Sequence, residues 1–217
     1  GKTDERSAPH IILLPEVPFD SDQFLTRVRY CIEQYNHCFI VASEGIRTLH
    51  GQYFSEQNAH DAFGHEQLGG VAPKLAHLIH HSLGYKYHWG VCDYLQRAAS
   101  HLASATDAEQ AYAIGVKAVE LAAAGITNQA LIIKRLSNNP YRFEIATTCI
   151  TNLANVEAKI PADYLSEDGF GVNRQCLEYL RPLIQGEFYP LYKDGLPVFA
   201  NLKAQLVRKK LAGATFL

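Results

Sequence analysis

Glu44, Tyr94, Arg97 and a set of histidines are the side chains whose types and spacing could do chemistry. Glu44 directly follows an apolar run at residues 39–42. In open α/β sheets ligands gather at the carboxyl ends of strands, so an ionised carboxylate there is placed to accept hydrogen bonds from sugar hydroxyls. The alternative is a surface Glu at the start of a loop. Arg97 follows a strand-like segment at 85–94, and its guanidinium fork suits phosphate oxygens, while Tyr94, three residues earlier, adds a hydroxyl. The alternative for Arg97 is a structural ion pair. His77 and His81 lie four apart on one helix face beside His80, with His60 and His65 upstream. Zinc needs three or four such ligands, and no His-Glu-x-x-His is present, so these read as ordinary helix histidines without bound metal. Arg208-Lys209-Lys210 reads as the solvated face of a terminal helix.

No Gly-x-Gly-x-x-Gly opens a helix and no Walker sequence occurs; Asp168-Gly169-Phe170-Gly171 reads as a turn. The 217 residues carry 20 Lys+Arg against 22 Asp+Glu, a net charge of -2, which argues against wholesale nucleic-acid or membrane-surface binding. No apolar run approaches the roughly 18 to 20 residues that span a bilayer. Residues 1–10 are polar, without a signal-peptide h-region. Five cysteines with no Cys-x-x-Cys pair fit reduced thiols, and hence a cytoplasmic protein. There is no Met, so a processed, engineered or partial chain is expected.

The elements that must position these residues follow from periodicity. Residues 11–14 form a continuous apolar run suited to a buried parallel strand, closed by Pro15. Asp20 with Gln23 signals a helix start, and Phe24, Leu25, Val28, Cys31, Ile32 and Tyr35 recur at helical spacing before the second run at 39–42. Strand, helix, strand is the unit of a parallel α/β sheet. Residues 46–71 lose the pattern and read as a packed functional loop. A helix is predicted at 73–83, then the strand-like 85–94. Thr106-Asp107-Ala108-Glu109 reads as a capping box opening a helix that runs to Gly125. Residues 130–133 read as a buried strand and 142–146 as another. A helix follows at 173–180, stopped near Pro182, and a final basic helix at 200–211.

Pro15-Glu16-Val17-Pro18-Phe19, Glu44-Gly45, Asp61-Ala62-Phe63-Gly64-His65 with Gln67-Leu68-Gly69-Gly70, and above all Asp93-Tyr94-Leu95-Gln96-Arg97 resemble the phosphofructokinase family. Thr106-Asp107 with Gln110-Ala111-Tyr112, Asn155-Val156-Glu157, Glu167-Asp168-Gly169-Phe170-Gly171 and Gly195-Leu196-Pro197 resemble its pyrophosphate-dependent branch. The resemblance covers nearly the whole chain, but only the second half of such an enzyme. It implies an α/β fold, a Rossmann-like parallel-sheet sandwich with a C-terminal helical extension. Residues 1–150 would be the half carrying the fructose 6-phosphate site and 151–217 the extension.

The implied reaction is magnesium-assisted transfer of phosphate from pyrophosphate to the 1-hydroxyl of fructose 6-phosphate, in a cytoplasmic homo-oligomer. By motif position Glu44 would hold sugar hydroxyls, and Tyr94 and Arg97 would belong to the fructose 6-phosphate site, with Arg97 on the phosphate. The place nine residues before Arg97, His88, would reach a neighbouring subunit's substrate, with Lys86 as a substitute; an Arg is expected there in ATP-dependent members. The family's Gly-Gly-Asp loop for phosphate and magnesium, its Thr-Ile-Asp-Asn-Asp segment with the general base, and its Met-Gly-Arg motif normally precede the position of Pro15 and do not occur here. No residue of this chain is therefore assigned a catalytic role, the magnesium site is expected in the preceding half, and the chain alone is expected to be inactive. The donor could be ATP instead, or the chain a non-catalytic regulatory subunit that keeps the sugar-phosphate site. An unrelated sugar-phosphate module would require accidental motif matches.

Overall fold

A computed structural model describes residues 4, 6–60, 66–68, 70–199 and 204–206. Strand β1 (Ile11–Leu13) pairs in parallel with β2 (Ile40–Ala42), and helix α1 (Ser21–Tyr35) crosses between them. The helix starts where the sequence says: the Asp20 carboxylate accepts the Asp22 and Gln23 backbone N–H groups, and the Gln23 side-chain amide returns to it at 3.2 Å. It ends at Asn36, whose φ of 62° gives the left-handed turn that stops a helix. The other edge of β1 is covered by the Asp168–Gly171 turn, with Ile12 N–H donating to the Phe170 carbonyl at 2.8 Å. Helix α2 (Val71–Leu83) packs on α1. Ile11, Leu13, Phe19, Phe24, Val28, Ile46, Val71, Leu75 and Ile79 form the core between these elements.

Two sequence expectations for the segment that follows need correction. The stretch 46–71 is not structureless. A turn at 48–51 is closed by the Thr48 to Gln52 and Gly51 to Thr48 hydrogen bonds, and β3 (Glu56–His60) pairs antiparallel with β4 (Glu66–Leu68). Its polar residues supply backbone ladders without the apolar alternation that marks a strand. The strand expected at 85–94 is absent, although its aromatic alternation is real. Tyr87 instead lies edge-on to His77 and His80, at 5.8 and 5.7 Å between ring centroids, folding the extended segment back on α2. Asp61 to His65 and Gly69 of the quoted motifs lie outside the described residues.

After the one-turn helix α3 (Leu95–Ala98), α4 (Ala105–Ala123) starts two residues earlier than the predicted box implies. Its cap is Ser104, because that hydroxyl both accepts the Asp107 N–H at 3.1 Å and donates to the Leu183 carbonyl at 2.6 Å, while Thr106 turns to the Gln185 carbonyl. Gly125, at φ 72°, ends it as expected. The predicted buried strand at 130–133 is the start of a long exposed hairpin, β5 (Gln129–Asn138) with β6 (Tyr141–Cys149), in which Ile133 is 41% exposed. Its apolar run matches a buried strand locally; only the missing cover tells the two apart. Helix α5 (Arg174–Leu180), capped by Asn173, runs into a 3-10 turn, Arg181–Ile184, with Pro182 in its first turn. A short pair, β7 (Tyr192–Lys193) and β8 (Leu196–Pro197), follows. Within the helix expected at 200–211, residues 204–206 are not helical: Leu206 is fully exposed and meets no apolar surface among the described residues. The rest of that segment, with Arg208-Lys209-Lys210, lies outside the described residues.

Candidate functional site

The carboxyl ends of β1 and β2 bring two of the motif segments together. Glu44 sits exposed in the turn directly after β2, and the next residue approaches the other strand's end: a Cβ on Gly45 would lie 3.5 Å from Pro15. The Ser43 hydroxyl accepts the Gly45 N–H at 3.2 Å, which fixes the turn. Among the described residues Glu44 has no hydrogen bond or ion pair, so its carboxylate is open to hydroxyl donors.

Glu16 carries a second carboxylate at the same strand end, which sequence reasoning took only as a letter of its motif. Its Oε1 accepts the Ile160 N–H at 3.0 Å, drawing the irregular segment after residue 155 to the strand end, while Oε2 is buried without a hydrogen-bond partner among the described residues. A buried carboxylate oxygen left unpaired is costly, which marks Glu16 as a strained point at the strand end. Its one sequence signal was position, immediately after the run that ends in Pro15.

Tyr94 and Arg97 are brought together by α3. The Arg97 N–H donates to the Tyr94 carbonyl at 3.0 Å, and the guanidinium lies 5.5 Å from the Tyr94 ring centroid. Spacing by three residues on one helical turn puts both on one face. Both are exposed, and Arg97 has no carboxylate partner among the described residues, so the alternative of a structural ion pair for Arg97 finds no support there. His88 and Lys86 lie exposed in the extended segment before α3. Among the described residues no hydrogen bond, ion pair or ring contact links Glu44 or His88 to the Tyr94–Arg97 pair. The rings of His77 and His80 are spent on Tyr87, and His80 Nδ1 lies 3.1 Å from the Tyr85 carbonyl. Among the described residues no group of three His, Cys, Asp or Glu is arranged to hold a metal ion.

This arrangement offers acceptors for hydroxyls at the sheet end and a cation with a phenol for a phosphate at α3. No family model matches the chain. Pyrophosphate--fructose 6-phosphate 1-phosphotransferase of Methylococcus capsulatus is 50% identical over 204 residues, 94% of this chain and 49% of that protein. The protein of the same name from Halomonas elongata is 48% identical over 207 residues. The crystal structure of a pyrophosphate-dependent phosphofructokinase from Marinobacter aquaeolei superposes with a TM-score of 0.81 at 46% identity, covering 97% of this chain and 49% of that one. The chain thus spans about half the length of the curated relatives it matches. The fold these similarities define is the phosphofructokinase type of α/β protein. More narrowly, the chain matches the C-terminal half of the pyrophosphate-dependent phosphofructokinases, as its motifs indicated.

Proposed function

We propose that this chain is the sugar-phosphate-binding half of a phosphotransferase that moves phosphate from pyrophosphate to the 1-hydroxyl of fructose 6-phosphate. The observation that carries the reading is the 50% identity, over 94% of the chain, to a protein named for that reaction. In the reaction the sugar O1 attacks one phosphorus of pyrophosphate, the bridging P–O bond breaks, orthophosphate leaves, and the O1 proton passes to a base. That base, the donor cradle and magnesium are assigned to the preceding half of such a protein, so no step here runs through magnesium. This chain's own residues bind and orient: Arg97 pairs with the 6-phosphate, Tyr94 adds a hydroxyl, and Glu44 accepts from the sugar hydroxyls. Phosphoryl transfer is governed by positioning and charge neutralisation, so these contacts convert to rate by holding O1 in line. His88, or Lys86, reaches a second subunit's substrate in a homo-oligomer.

The test joins this chain to the preceding half of the Methylococcus capsulatus relative and follows fructose 1,6-bisphosphate formation. The joined protein should turn over with pyrophosphate and the chain alone should not. Arg97→Lys should raise the KM for fructose 6-phosphate about tenfold or more, with little change for pyrophosphate, because an ammonium cannot reproduce the bidentate fork. Equal effects on both substrates would remove Arg97 from the phosphate. Turnover with ATP alone would replace the donor, and sugar-phosphate binding without turnover would favour a regulatory subunit.

A further inference from the structure

The first turn of α4, the β5–β6 hairpin and the 3-10 turn Arg181–Ile184 border an open cleft of about 700 Å3 whose lining does not include Glu44, Tyr94, Arg97 or His88. Its polar lining is biased toward donors. Asn138 lends its Oδ1 to Arg135 Nη1 at 3.1 Å, which leaves its amide hydrogens available. Tyr141's phenolic oxygen accepts from the Gln110 amide, leaving the phenolic proton to donate. Gln185 counts the other way: its amide spends a hydrogen on the Arg181 carbonyl at 3.0 Å and keeps its oxygen as an acceptor. Arg142 and Arg181 line the same cleft, both exposed, and neither has an ion pair among the described residues; Glu109 is the single carboxylate in the lining. The lining therefore carries two guanidinium groups against one carboxylate.

The wall is also held rigid. Arg135 lies between the Tyr141 and Tyr179 rings, at 4.8 and 4.0 Å from their centroids, and donates to the Tyr179 carbonyl at 2.9 Å. Its Nη2 is buried without a hydrogen-bond partner among the described residues, one more donor in surplus behind that wall. Leu136, Phe143 and Pro182 supply apolar surface beside the charges. A cleft of this size with an apolar wall and unspent guanidinium groups suits an anion carrying an organic body.

We propose that this cleft binds a phosphomonoester, its phosphate met by Arg142 and Arg181 and its organic body packed on Phe143 and Leu136. The site goes beyond the phosphotransfer reading and does not depend on it. The test titrates the chain with phenyl phosphate, inorganic phosphate and phenol, followed by calorimetry. Phenyl phosphate should saturate, inorganic phosphate should bind more weakly, and phenol should not saturate. The double variant Arg142→Gln, Arg181→Gln should lose affinity for phenyl phosphate by about tenfold or more, while Arg97→Lys leaves it unchanged. No saturation, equal binding of phenol, or full affinity in the double variant overturns the proposal. A loss in Arg97→Lys matching that of the double variant also overturns it, by placing the phosphate at α3. Should the double variant fail to fold, the salt dependence of the unaltered chain decides: affinity must fall several-fold as salt is raised, and a flat response refutes ion pairing.

Discussion

Helix α1, with 15 residues, buries Phe24, Val28 and Cys31, whereas α4, with 19, buries only Gln110. The β1–α1–β2–α2 unit is closed by apolar packing on the face of its short parallel pair that carries Ile11 and Leu13, while Val41 on the opposite face stays 46% exposed. The α4 and β5–β6 unit is held by a long backbone ladder and by polar joints: Ser104 to Leu183, Gln110 to Tyr141, and Arg135 to Tyr179. Tyr112 and Val119 on α4 stay 76% and 70% exposed. Packing fixes the first unit and leaves its strand ends as a firm base for Glu44. Directional hydrogen bonds fix the second and leave room between its elements for a cleft. Substitutions should therefore cost energy in the first unit in proportion to volume removed, and in the second according to the bonds lost.

The largest expected contrast comes from side-chain truncation. Phe24, with no exposure, lies 5.3 Å from Phe19 between ring centroids, and Phe24→Ala removes a whole ring from a closed core. It should cost about 3–5 kcal/mol, while Val119→Ala on the exposed face of α4 costs under about 0.5 kcal/mol. Urea unfolding of both variants measures this, and similar costs would erase the distinction between the units.

Thiol reactivity sharpens the same comparison without altering the chain. Burial, together with the neighbouring Cys31 thiol, pushes Cys38 up to about 12. In the hairpin unit the Thr151 hydroxyl beside Cys149 holds that exposed thiol below its ordinary value. Because the thiolate is the nucleophile, Cys149 should react with an aromatic disulfide reagent at near-neutral pH at least about a hundredfold faster than Cys38. Mass spectrometry of partly labelled protein identifies the order, and early labelling of Cys38 would show that the first unit opens readily.

A smaller effect belongs to the joint at Ser104. Its hydroxyl serves two bonds, one capping α4 and one reaching the 3-10 turn. Ser104→Ala should cost about 1–2 kcal/mol, the upper part of the usual range for a cap, and Thr should recover most of it. A cost near zero would mean that the ladder alone holds the second unit.

The two units also differ in how legible they were. The apolar runs at 11–14 and 39–42 and the Asp20 cap act through local periodicity, so the parallel pair and α1 could be placed from sequence. The strands expected at 130–133 and 142–146 lie within β5 and β6, but the burial expected of the first is not found, because burial is a property of neighbours that a local pattern does not contain. At α4 the capping pattern pointed to Thr106, and a contact with Leu183, 79 residues away, selected Ser104. Tyr94 and Arg97 were legible because three-residue spacing survives any fold that makes one helical turn. Glu16 and the Arg142–Arg181 cleft were not: each depends on segments that meet only in three dimensions.

The smallest expected effect tests how the turn at Asp168 is tied to the closed unit. Burial works to raise the Asp168 carboxyl, but the Ser166 hydroxyl at 2.7 Å, the Phe170 N–H at 3.0 Å and the Arg27 guanidinium at 3.6 Å outweigh it and hold the group below its ordinary value. A depressed carboxylate pKa means that the folded chain holds its proton less tightly than the unfolded chain. Its contribution is therefore fully present above the unfolded value of about 3.9, and is lost as pH falls through the lower folded value. The pair is substantially solvent-exposed, with 33% and 47% side-chain exposure, so screening reduces the effect to about 0.5 kcal/mol. Asp168→Asn should thus be slightly less stable than the parent at neutral pH, and the difference should shrink once the pH drops below about 4. Paired urea unfolding curves at the two pH values measure this. A deficit that grows on acidification would show that the turn is held by the protonated acid, and would detach the Phe170 strand contact from the charge on Asp168.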